Sequence, residues 1–388
     1  MKGSFQNGTF RLSPHRAAEQ RPIPTAGARR GCRRGGGPNR ASVRPIAKRA
    51  GIGGTVSTLA LILSACCSPE SQFLRPLRIT EAPPARAENV WIDAPSAGRL
   101  NAWLFRPEHA PPDRPIPAVL FLHGRSDSIA TYRDLAPWFA DRVDAAMLVV
   151  DYRGWGASSD IECPSRRSII ADAGAAYDWL AARDDIDESR IAIWGASLGG
   201  YPATSVMAER TDAVALALWA SVADAIWLID DFRDRLSGGR WLAARLALRR
   251  YREPRDQVRR IGDRPVLIVH GERDEIIPVR HAHEIAARAQ AAGVPADLFI
   301  DPESTHMVVS EEAILRIAVF LRERLHAGES GTGDSAAPEE SLPEGTPPPS
   351  PRVPPRTSDP PASNHGAASA TTPGSGTLGS PNSMNFIP

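Results

Sequence analysis

Short apolar runs alternate with amphipathic segments over residues 88–326 of this chain, which has 388 residues in all. Runs that are apolar at nearly every position predict parallel strands with helices packed on both faces. Ahead of these runs, NVWIDA and RLNAWLFR flank the turn PSAG and predict a hairpin. The predicted parallel strands are PAVLFLHG (117–124), AAMLVVDYRG (145–154), RIAIWGAS (190–197), AVALALWASV (213–222), PVLIVHGERD (265–274) and PADLFI (295–300).

The segments between these strands repeat their apolar residues at the spacing of helices. In the last segment, Ile314, Ile317 and Leu321 share one helix face. This alternation predicts one α/β domain over residues 88–326, built on a doubly wound, mostly parallel sheet. Residues 223–262 interrupt the alternation, and we expect them to form a small helical lid over the carboxyl ends of the strands.

Composition changes sharply at both ends, although the net charge of the whole chain is only +1. Residues 1–50 contain twelve Lys or Arg and one acid, and residues 327–388 contain thirteen Pro and one aromatic residue. Neither end can bury enough apolar surface to offset the entropy lost on ordering, so we predict that both are disordered. The predicted organisation is a basic leader with a signal sequence (1–67), a linker (68–87), the domain, and a tail rich in Pro, Ser and Gly (327–388).

The leader ends in a predicted export signal. A basic patch that includes Lys48 and Arg49 precedes an apolar run of fifteen residues (51–65), which is short for a membrane-spanning helix and typical of a secretory signal. The LSAC at residues 63–66 resembles the lipobox of bacterial lipoproteins, which implies lipidation of Cys66. The expected location is therefore the bacterial cell envelope, on a membrane through a lipid anchor. An ordinary signal peptide and a short membrane anchor are the alternatives.

The stretch WGASLGG (194–200) places a serine between small residues, after a predicted strand and before a predicted helix. It matches G-x-S-x-G, in which the serine stands on a tight strand-to-helix turn with its hydroxyl exposed. The small residues keep Cβ atoms clear of the turn, and the helix N-terminus favours negative charge developing beside it. We therefore predict that Ser197 is a nucleophile.

A serine hydroxyl needs a general base, and the base needs an acid that holds it. With this type of turn, the chain order is serine, then acid, then histidine. Asp274 follows one strand and His306 follows the next, so both are expected at the same sheet edge as Ser197. We predict that His306 takes and returns the proton and that Asp274 orients it. Asp224, just after another strand, is the alternative acid.

Two N–H groups are needed to stabilise the oxyanion that forms during attack. We predict that one is the backbone N–H of Leu198 and the other the backbone N–H of Arg125, in a turn that His123 shapes. The pair His281 and His283 would point to different faces of a predicted helix, so no metal site is expected. Hydrolysis by such a serine needs no organic cofactor.

Five motifs can be read together along the domain. They are FLHG with Arg125, DYRGWGAS (151–158), WGASLGG (194–200), HGERDEIIP (270–278) and STHM (304–307). In content and order they resemble the α/β-hydrolase superfamily of serine hydrolases. The motif DYRGWGAS is most similar to the branch that contains small-lid esterases, acyl-protein thioesterases and relatives of prolyl-oligopeptidase-type peptidases. The resemblance implies the α/β-hydrolase fold over residues 88–326, with Asp151 and Arg153 bracing a loop and Trp155 lining the pocket.

These features predict a serine hydrolase that cleaves carboxylic ester or thioester bonds of a small-molecule acyl substrate through an acyl-enzyme. A peptidase or amidase is the alternative among enzymes, because the same triad serves amides, although no propeller or large cap is visible in the sequence. A non-catalytic lipoprotein that uses the fold for binding is the alternative of another class. No nucleic-acid partner is expected, and the sequence identifies neither a protein partner nor an acyl length.

Overall fold

The computed structural model describes residues 9–11, 13–14, 70, 74, 76–94, 98–159, 164–248, 251–328 and 352–353. Within this part of the chain, eight strands form one sheet in the spatial order β8-β7-β6-β5-β3-β4-β2-β1. The strands are β1 Ala87–Asp93, β2 Arg99–Phe105, β3 Ile116–Leu122, β4 Ala146–Val150, β5 Ile186–Ala196, β6 Ala215–Trp219, β7 Val266–Gly271 and β8 Ala296–Asp301.

The sheet is mostly parallel, as the apolar runs predicted. Strands β3 to β8 all run in the same direction, with β3 between β4 and β5. The predicted hairpin is present, since β1 pairs antiparallel with β2 from Ala87 opposite Phe105 to Asp93 opposite Arg99. Strand β2 is also antiparallel to β4. The carboxyl ends of β3, β5, β7 and β8 therefore meet at one edge of the sheet.

Helices cover the sheet on both faces. Helices α1 and α8 pack together on one face, α2 and α3 pack together on the other, and α6 contacts both α3 and α7. The helices are α1 Leu135–Val143, α2 Arg166–Ala181, α3 Gly200–Glu209, α4 Ala225–Asp231, α5 Gly238–Ala247, α6 Pro254–Gln257, α7 Arg280–Ala291 and α8 Glu311–Leu325. Short 3-10 helices cover Ile129–Tyr132, Ser197–Gly199, Arg233–Arg235 and Val258–Arg260.

The last helix illustrates how local sequence sets helix boundaries. The Ser310 hydroxyl accepts a hydrogen bond from the Ala313 N–H at 3.1 Å and satisfies one of the free donors at the start of α8. Two glutamates lie in the first turn and two arginines in the last turn, so both sets of charges interact favourably with the helix dipole. Helix α8 is thereby fixed directly after the loop that carries His306.

The core lies against the centre of the sheet, where every residue of β3 and β4 is buried. On the face covered by α1 and α8, the Trp194 ring contacts Phe121 and Phe139 with centroid separations of 4.5 Å and 4.6 Å. Burial of each phenylalanine side chain contributes about 1.5–3 kcal/mol to the stability of the fold. Because Phe121 and Trp194 lie close to the ends of β3 and β5, the sheet edge there rests on a tightly packed layer.

The segment 223–262 contains α4, α5 and α6 and lies beside the loop that follows β7. The Arg235 guanidinium donates to the Glu275 carbonyl oxygen at 3.3 Å. The Asp231 carboxylate accepts a hydrogen bond from His281 Nε2 at 2.9 Å. These contacts connect the helical segment to the loop after β7 and to α7.

Short strand pairs lie outside the main sheet. Residues Thr9–Arg11 pair antiparallel with Val308–Ser310, and Ser13–Pro14 pair in parallel with Arg352–Val353. Most of the linker is described, and so are residues 327 and 328 at the start of the predicted tail. The other residues of the predicted leader and tail, including Cys66 with its lipobox, lie outside the described residues. Of the helices that the structure describes, none has the length and apolar character needed to cross a bilayer.

Candidate active site

Ser197 stands on a strained turn between β5 and α3. Its φ is +54°, in the left-handed region that residues other than glycine rarely adopt. The neighbouring glycines make the turn possible by close approach: a Cβ on Gly199 would lie 1.9 Å from the Leu122 carbonyl oxygen, and one on Gly195 would lie 2.6 Å from the Ala203 Cβ. The G-x-S-x-G pattern therefore has a steric basis in this chain.

The structure brings the three predicted side chains into one hydrogen-bonded line. The Ser197 hydroxyl oxygen lies 3.1 Å from His306 Nε2. On the other side of the imidazole, His306 Nδ1 lies 2.8 Å from Asp274 Oδ2. Since a carboxylate only accepts, the proton belongs on Nδ1, and the lone pair of Nε2 faces the serine hydroxyl. This is the tautomer that a general base for Ser197 requires.

Asp274 is buried at the carboxyl end of β7 and is surrounded by donors. Its Oδ1 accepts from the N–H groups of Ile276 and Ile277 at 2.9 Å and 2.7 Å. Burial opposes ionisation, but the adjacent His270 and His306 imidazoles and the Ile277 N–H outweigh it, so the pKa of Asp274 lies well below its ordinary value. The carboxylate is therefore held ionised next to His306.

The contact between His270 and Asp274 was not expected from the sequence. His270 is buried, and its Nε2 donates to the Ile277 carbonyl oxygen at 2.7 Å while lying 3.4 Å from Asp274 Oδ2. It therefore closes the turn that presents Asp274. A signal was available in the sequence, since HGERD places His270 four residues before Asp274, at the spacing of a tight turn.

The loop that carries His306 is closed by a second set of hydrogen bonds that sequence reasoning did not identify. The Ser304 hydroxyl donates to Asp301 Oδ2 and accepts from the Ser310 N–H at 2.9 Å. Burial raises the pKa of Asp301, but hydrogen bonds from Ser304 and Ser310 dominate and lower it. The Thr305 N–H also donates to the Val308 carbonyl oxygen at 2.8 Å. These bonds fix the loop on both sides of His306.

The two predicted oxyanion donors lie beside Ser197. Leu198 is the next residue in the 3-10 turn. Arg125 follows Gly124, where a Cβ would lie 3.4 Å from the Ser197 Cβ. His123 Nδ1 lies 2.7 Å from the Gly124 carbonyl oxygen and must donate to it. Because a trans peptide directs its C=O and N–H in opposite directions, this bond sets where the Arg125 N–H points.

Residues just after β4 brace the same loop. The Asp151 carboxylate accepts from the Ile129 N–H at 2.9 Å and lies 3.3 Å from His123 Nε2. The Tyr152 hydroxyl donates to the His123 carbonyl oxygen at 3.2 Å. The Trp155 indole N–H donates to the Arg125 carbonyl oxygen at 3.0 Å. Trp155 is fully buried, so the expectation that it lines the pocket is wrong: its ring packs under the loop.

Arg153 has a separate partner, because its guanidinium pairs with the buried Asp172 carboxylate of α2. The Arg153 N–H also donates to Asp172, at 2.9 Å. Burial is the main influence on the pKa of Asp172 and raises it, although the bonds from Arg153 oppose this effect. Arg153 thus anchors the segment after β4 to α2.

The alternative acid, Asp224, is committed to another role. Its Oδ1 accepts from the N–H groups of Ile226 and Trp227 at 2.7 Å and 3.1 Å and caps α4. Its Oδ2 lies 2.8 Å from the Arg255 guanidinium. The carboxylate in contact with His306 is that of Asp274. The geometry therefore favours Asp274 as the partner of the imidazole.

The helix after Ser197 is tied to the segment 223–262 by a buried glutamate. Glu253 accepts from the Tyr201 hydroxyl, from the Ala225 N–H at 2.9 Å, and from the Arg166 guanidinium at 2.6 Å. Tyr201 lies in the first turn of α3, so the bonds connect α3 to the start of α4. Within the described ranges, no three His, Cys, Asp or Glu side chains cluster closely enough to hold a metal ion.

Known proteins share this arrangement of strands and helices. The α/β-hydrolase domain-containing protein WAV2 of Arabidopsis thaliana is 30% identical to this chain over 229 residues, which are 57% of this chain and 72% of that protein. The chain belongs to the α/β-hydrolase superfamily. A model of the prolyl oligopeptidase family also matches residues 144–325 of this α/β hydrolase.

Solved structures with the same fold include both esterases and peptidases. The Pyrococcus furiosus esterase Pf2001 superposes with a TM-score of 0.51 at 18% identity, covering 65% of this α/β hydrolase and all of the esterase (100%). Dipeptidyl peptidase 4 of Porphyromonas gingivalis superposes with a TM-score of 0.50 at 21% identity, covering 61% of this chain. This chain spans only 35% of that peptidase's length. At these identities the likeness concerns the fold alone.

Proposed function

We propose that this α/β hydrolase cleaves carboxylic esters or thioesters through an acyl-enzyme on Ser197. The observation that carries the proposal is the unbroken line from the Ser197 hydroxyl to His306 and Asp274, at 3.1 Å and 2.8 Å. Serine, base and acid within hydrogen-bond reach of one another are the arrangement that activates a weak nucleophile. The strained turn under Ser197 also supports the proposal, because such strain concentrates at functional sites.

In the proposed reaction, the Ser197 oxygen attacks the acyl carbon while His306 Nε2 takes the hydroxyl proton. The carbonyl oxygen becomes an oxyanion that accepts from the N–H groups of Leu198 and Arg125. The carbon–oxygen or carbon–sulfur bond to the leaving group then breaks, and His306 gives its proton to that group. Water, deprotonated by His306, attacks the acyl-enzyme, releases the carboxylic acid and restores Ser197. Asp274 stabilises the imidazolium in both steps.

Labelling with a fluorophosphonate probe tests the nucleophile directly, on the full chain purified in detergent. We expect covalent labelling of the unaltered protein and none of Ser197→Ala or His306→Ala. The matched control is Ser189→Ala, which removes an exposed serine near the start of β5 and should leave labelling unchanged. Failure to label the folded, unaltered protein would favour the alternative in which the fold serves binding without catalysis.

A peptidase or amidase activity is the second candidate, favoured by the match of residues 144–325 to the prolyl oligopeptidase family. The discriminating measurement compares a p-nitrophenyl ester with a p-nitroanilide of the same acyl group. We expect the ratio of kcat/KM for the ester to kcat/KM for the anilide to exceed the ratio of their rate constants for hydrolysis by hydroxide. A higher kcat/KM for the anilide would assign the protein to the amidases instead.

We also propose that the protein is an exported lipoprotein anchored through Cys66. The support is the sequence alone: the basic patch, the apolar run and LSAC at residues 63–66. Metabolic labelling with a fatty acid should modify the unaltered chain and Cys67→Ser, but not Cys66→Ser. Equal labelling of both variants, or labelling of neither, would contradict anchoring at this cysteine.

A further inference from the structure

One carboxylate near Ser197 has no part in the proposed reaction. Asp127 lies in the loop after β3, two residues beyond Arg125. The point where a Cβ on Gly124 would stand is 2.7 Å from Asp127 Oδ2 and 3.4 Å from the Ser197 Cβ. The Asp127 carboxylate therefore lies beside the nucleophile, on the side from which the loop donates to the oxyanion.

The Asp127 side chain is held in place at only one of its oxygens. The Tyr132 hydroxyl donates to Asp127 Oδ2 at 2.9 Å. Tyr132 is itself buried in the core, and burial followed by the nearby Asp127 charge raises the pKa of Tyr132 well above its ordinary value, so its hydroxyl stays a donor. The hydrogen bond from the buried Tyr132 therefore fixes the position of the Asp127 carboxylate.

The second oxygen of Asp127 is open. Among the described residues, no donor reaches Asp127 Oδ1, and this oxygen is absent from the buried polar atoms that lack a partner. The side chain is only partly buried. It follows that Oδ1 is not sealed from solvent, so that a group of a substrate bound at Ser197 can approach it.

A carboxylate at this place disfavours the proposed reaction of an uncharged substrate. Negative charge develops on the oxyanion in the transition state, and a second negative charge within a few ångströms raises the energy of that state. A cationic group on the substrate reverses the effect, because it is attracted to Asp127 and offsets the repulsion. A substrate with a negative group near its carbonyl is disfavoured twice.

We propose that Asp127 is a specificity residue that selects acyl substrates with an ammonium group close to the scissile carbonyl. The inference rests on the proposed function and narrows its substrate class. The ammonium group can belong to the acyl part or to the alcohol part of an ester, since both lie within a few bonds of the carbonyl carbon. In either position it would contact Asp127 Oδ1 while Ser197 attacks.

Two matched pairs of esters test the proposal and separate the two positions. In the first pair, a choline ester is compared with its uncharged carbon isostere, the ester of dimethylbutanol. In the second, the trimethylammonium group and its carbon isostere lie on the acyl chain, with one common alcohol. The quantity measured is the ratio of kcat/KM for the charged ester to that for the uncharged ester.

We expect a ratio above one for at least one pair, and a fall of about tenfold in Asp127→Asn, the size of one partly solvated charge contact. Asparagine keeps the shape and can still accept from Tyr132, so kcat/KM for the uncharged ester should stay or rise. Tyr132→Phe, which frees the carboxylate, should lower the ratio less. Asp113→Asn removes an exposed charge before β3, at the opposite end of the strand, and should leave the ratio unchanged.

The outcomes are distinguishable from failure of the proposed function. Hydrolysis of uncharged esters with the same ratio in the unaltered protein and Asp127→Asn would overturn this inference and leave the hydrolase intact. An equal fall in Asp113→Asn would also overturn it, because a long-range effect of net charge would then explain the ratio. Absence of hydrolysis of all four esters would overturn the proposed function and this inference together.

Discussion

The His306–Asp274 and His123–Asp151 pairs both border the site, and they are built differently. In the first, His306 Nδ1 donates to Asp274 at 2.8 Å and leaves Nε2 for the Ser197 hydroxyl. In the second, His123 turns its Nε2 towards Asp151 at 3.3 Å and uses Nδ1 on the backbone of its own loop. In the proposed reaction the first pair moves a proton, whereas the second pair holds the peptide plane between Gly124 and Arg125.

The donors around the two carboxylates explain opposite pKa directions. Asp274 accepts from two backbone N–H groups as well as from histidine, so its pKa is lowered although it is buried. Asp151 accepts one backbone N–H, from Ile129, and its Oδ2 is buried with no partner among the described residues. Burial therefore dominates and raises the pKa of Asp151. Asp151 is also the more deeply buried of the two, so its deeper burial and its fewer backbone donors together explain the opposite directions.

The largest expected effect comes from removing the charge of each aspartate in turn. Asp274→Asn should lower kcat by about ten-thousandfold with little change in KM, because the amide favours the wrong tautomer of His306. Asp151→Asn should lower kcat by less than about tenfold, since the fold already favours a neutral group at that position and the amide can face His123. Steady-state kinetics on the better uncharged ester measure both.

Equal losses of kcat in the two variants would contradict the proposed difference between the pairs, because both pairs would then take part in proton transfer. Thermal unfolding of each variant serves as the control. A loss of kcat that accompanies a loss of fold would be assigned to stability, whereas a loss in a variant with an unchanged melting temperature belongs to the site.

A smaller effect is expected from the histidine that holds the oxyanion loop. His123→Phe keeps a ring of similar size but removes the donor to the Gly124 carbonyl oxygen, so the peptide that carries the Arg125 N–H can rotate. We expect kcat to fall by about 10- to 100-fold with KM unchanged, as for a misplaced oxyanion donor. His123→Asn should recover part of this loss, because its amide nitrogen can occupy the position of Nδ1.

The rescue separates positioning from packing. If the ring acts only by filling space, His123→Phe should be the better tolerated variant and His123→Asn the worse one. That order of kcat values would contradict a role of His123 in positioning the Arg125 N–H. The pH profile of kcat should keep its shape in both variants, since neither changes His306 or Asp274.

The contacts among Ser197, His306 and Asp274 could be predicted from the sequence, whereas most of the contacts around the loop that carries Arg125 could not. Ser197, Asp274 and His306 each follow an apolar strand, and parallel strands bring such positions to one edge. Most strands were predicted from their apolar runs, but β5 begins at Ile186, before the predicted run 190–197, because residues 187–190 are polar and give no apolar signal. The triad positions therefore followed from local patterns combined with one rule of topology.

The bracing of the oxyanion loop depends on side-chain directions that no local pattern contains. Trp155 could equally face the pocket or the core, and the choice depends on the Gly156 turn, where φ is +48° and a Cβ would lie 1.8 Å from Asp151 Oδ2. The contact of His270 with Asp274 was missed for the same reason, because it needs the turn to be closed first. Long-range packing decides such details.

The two pairs should also differ in how pH changes the stability of the fold. Asp274 binds its proton less tightly in the folded chain, so its stabilisation is present above the ordinary carboxyl range and is lost as pH falls through that range towards the folded pKa. Asp151 has the opposite shift, so its contribution is complete below that range and is lost as pH rises through the folded pKa.

Denaturant unfolding between about pH 3 and pH 8 measures both effects through the asparagine variants. The destabilisation by Asp274→Asn should be greatest near neutral pH and should shrink on acidification. Asp151→Asn should approach the unaltered protein in acid and should gain relative to it as pH rises. Parallel pH profiles for the two variants would contradict the opposite pKa directions.

The smallest effect on the rate is expected from another buried carboxylate, Asp224, which caps α4 and pairs with Arg255. Asp224→Asn can still cap α4 but leaves the Arg255 guanidinium without its 2.8 Å charged partner. We expect a loss of stability of about 1–3 kcal/mol, while kcat per folded molecule stays within about twofold. A loss of kcat like that of Asp274→Asn would make Asp224 the acid that serves His306. The 2.8 Å contact of His306 with Asp274 would then not be the contact that orients the imidazole for proton transfer.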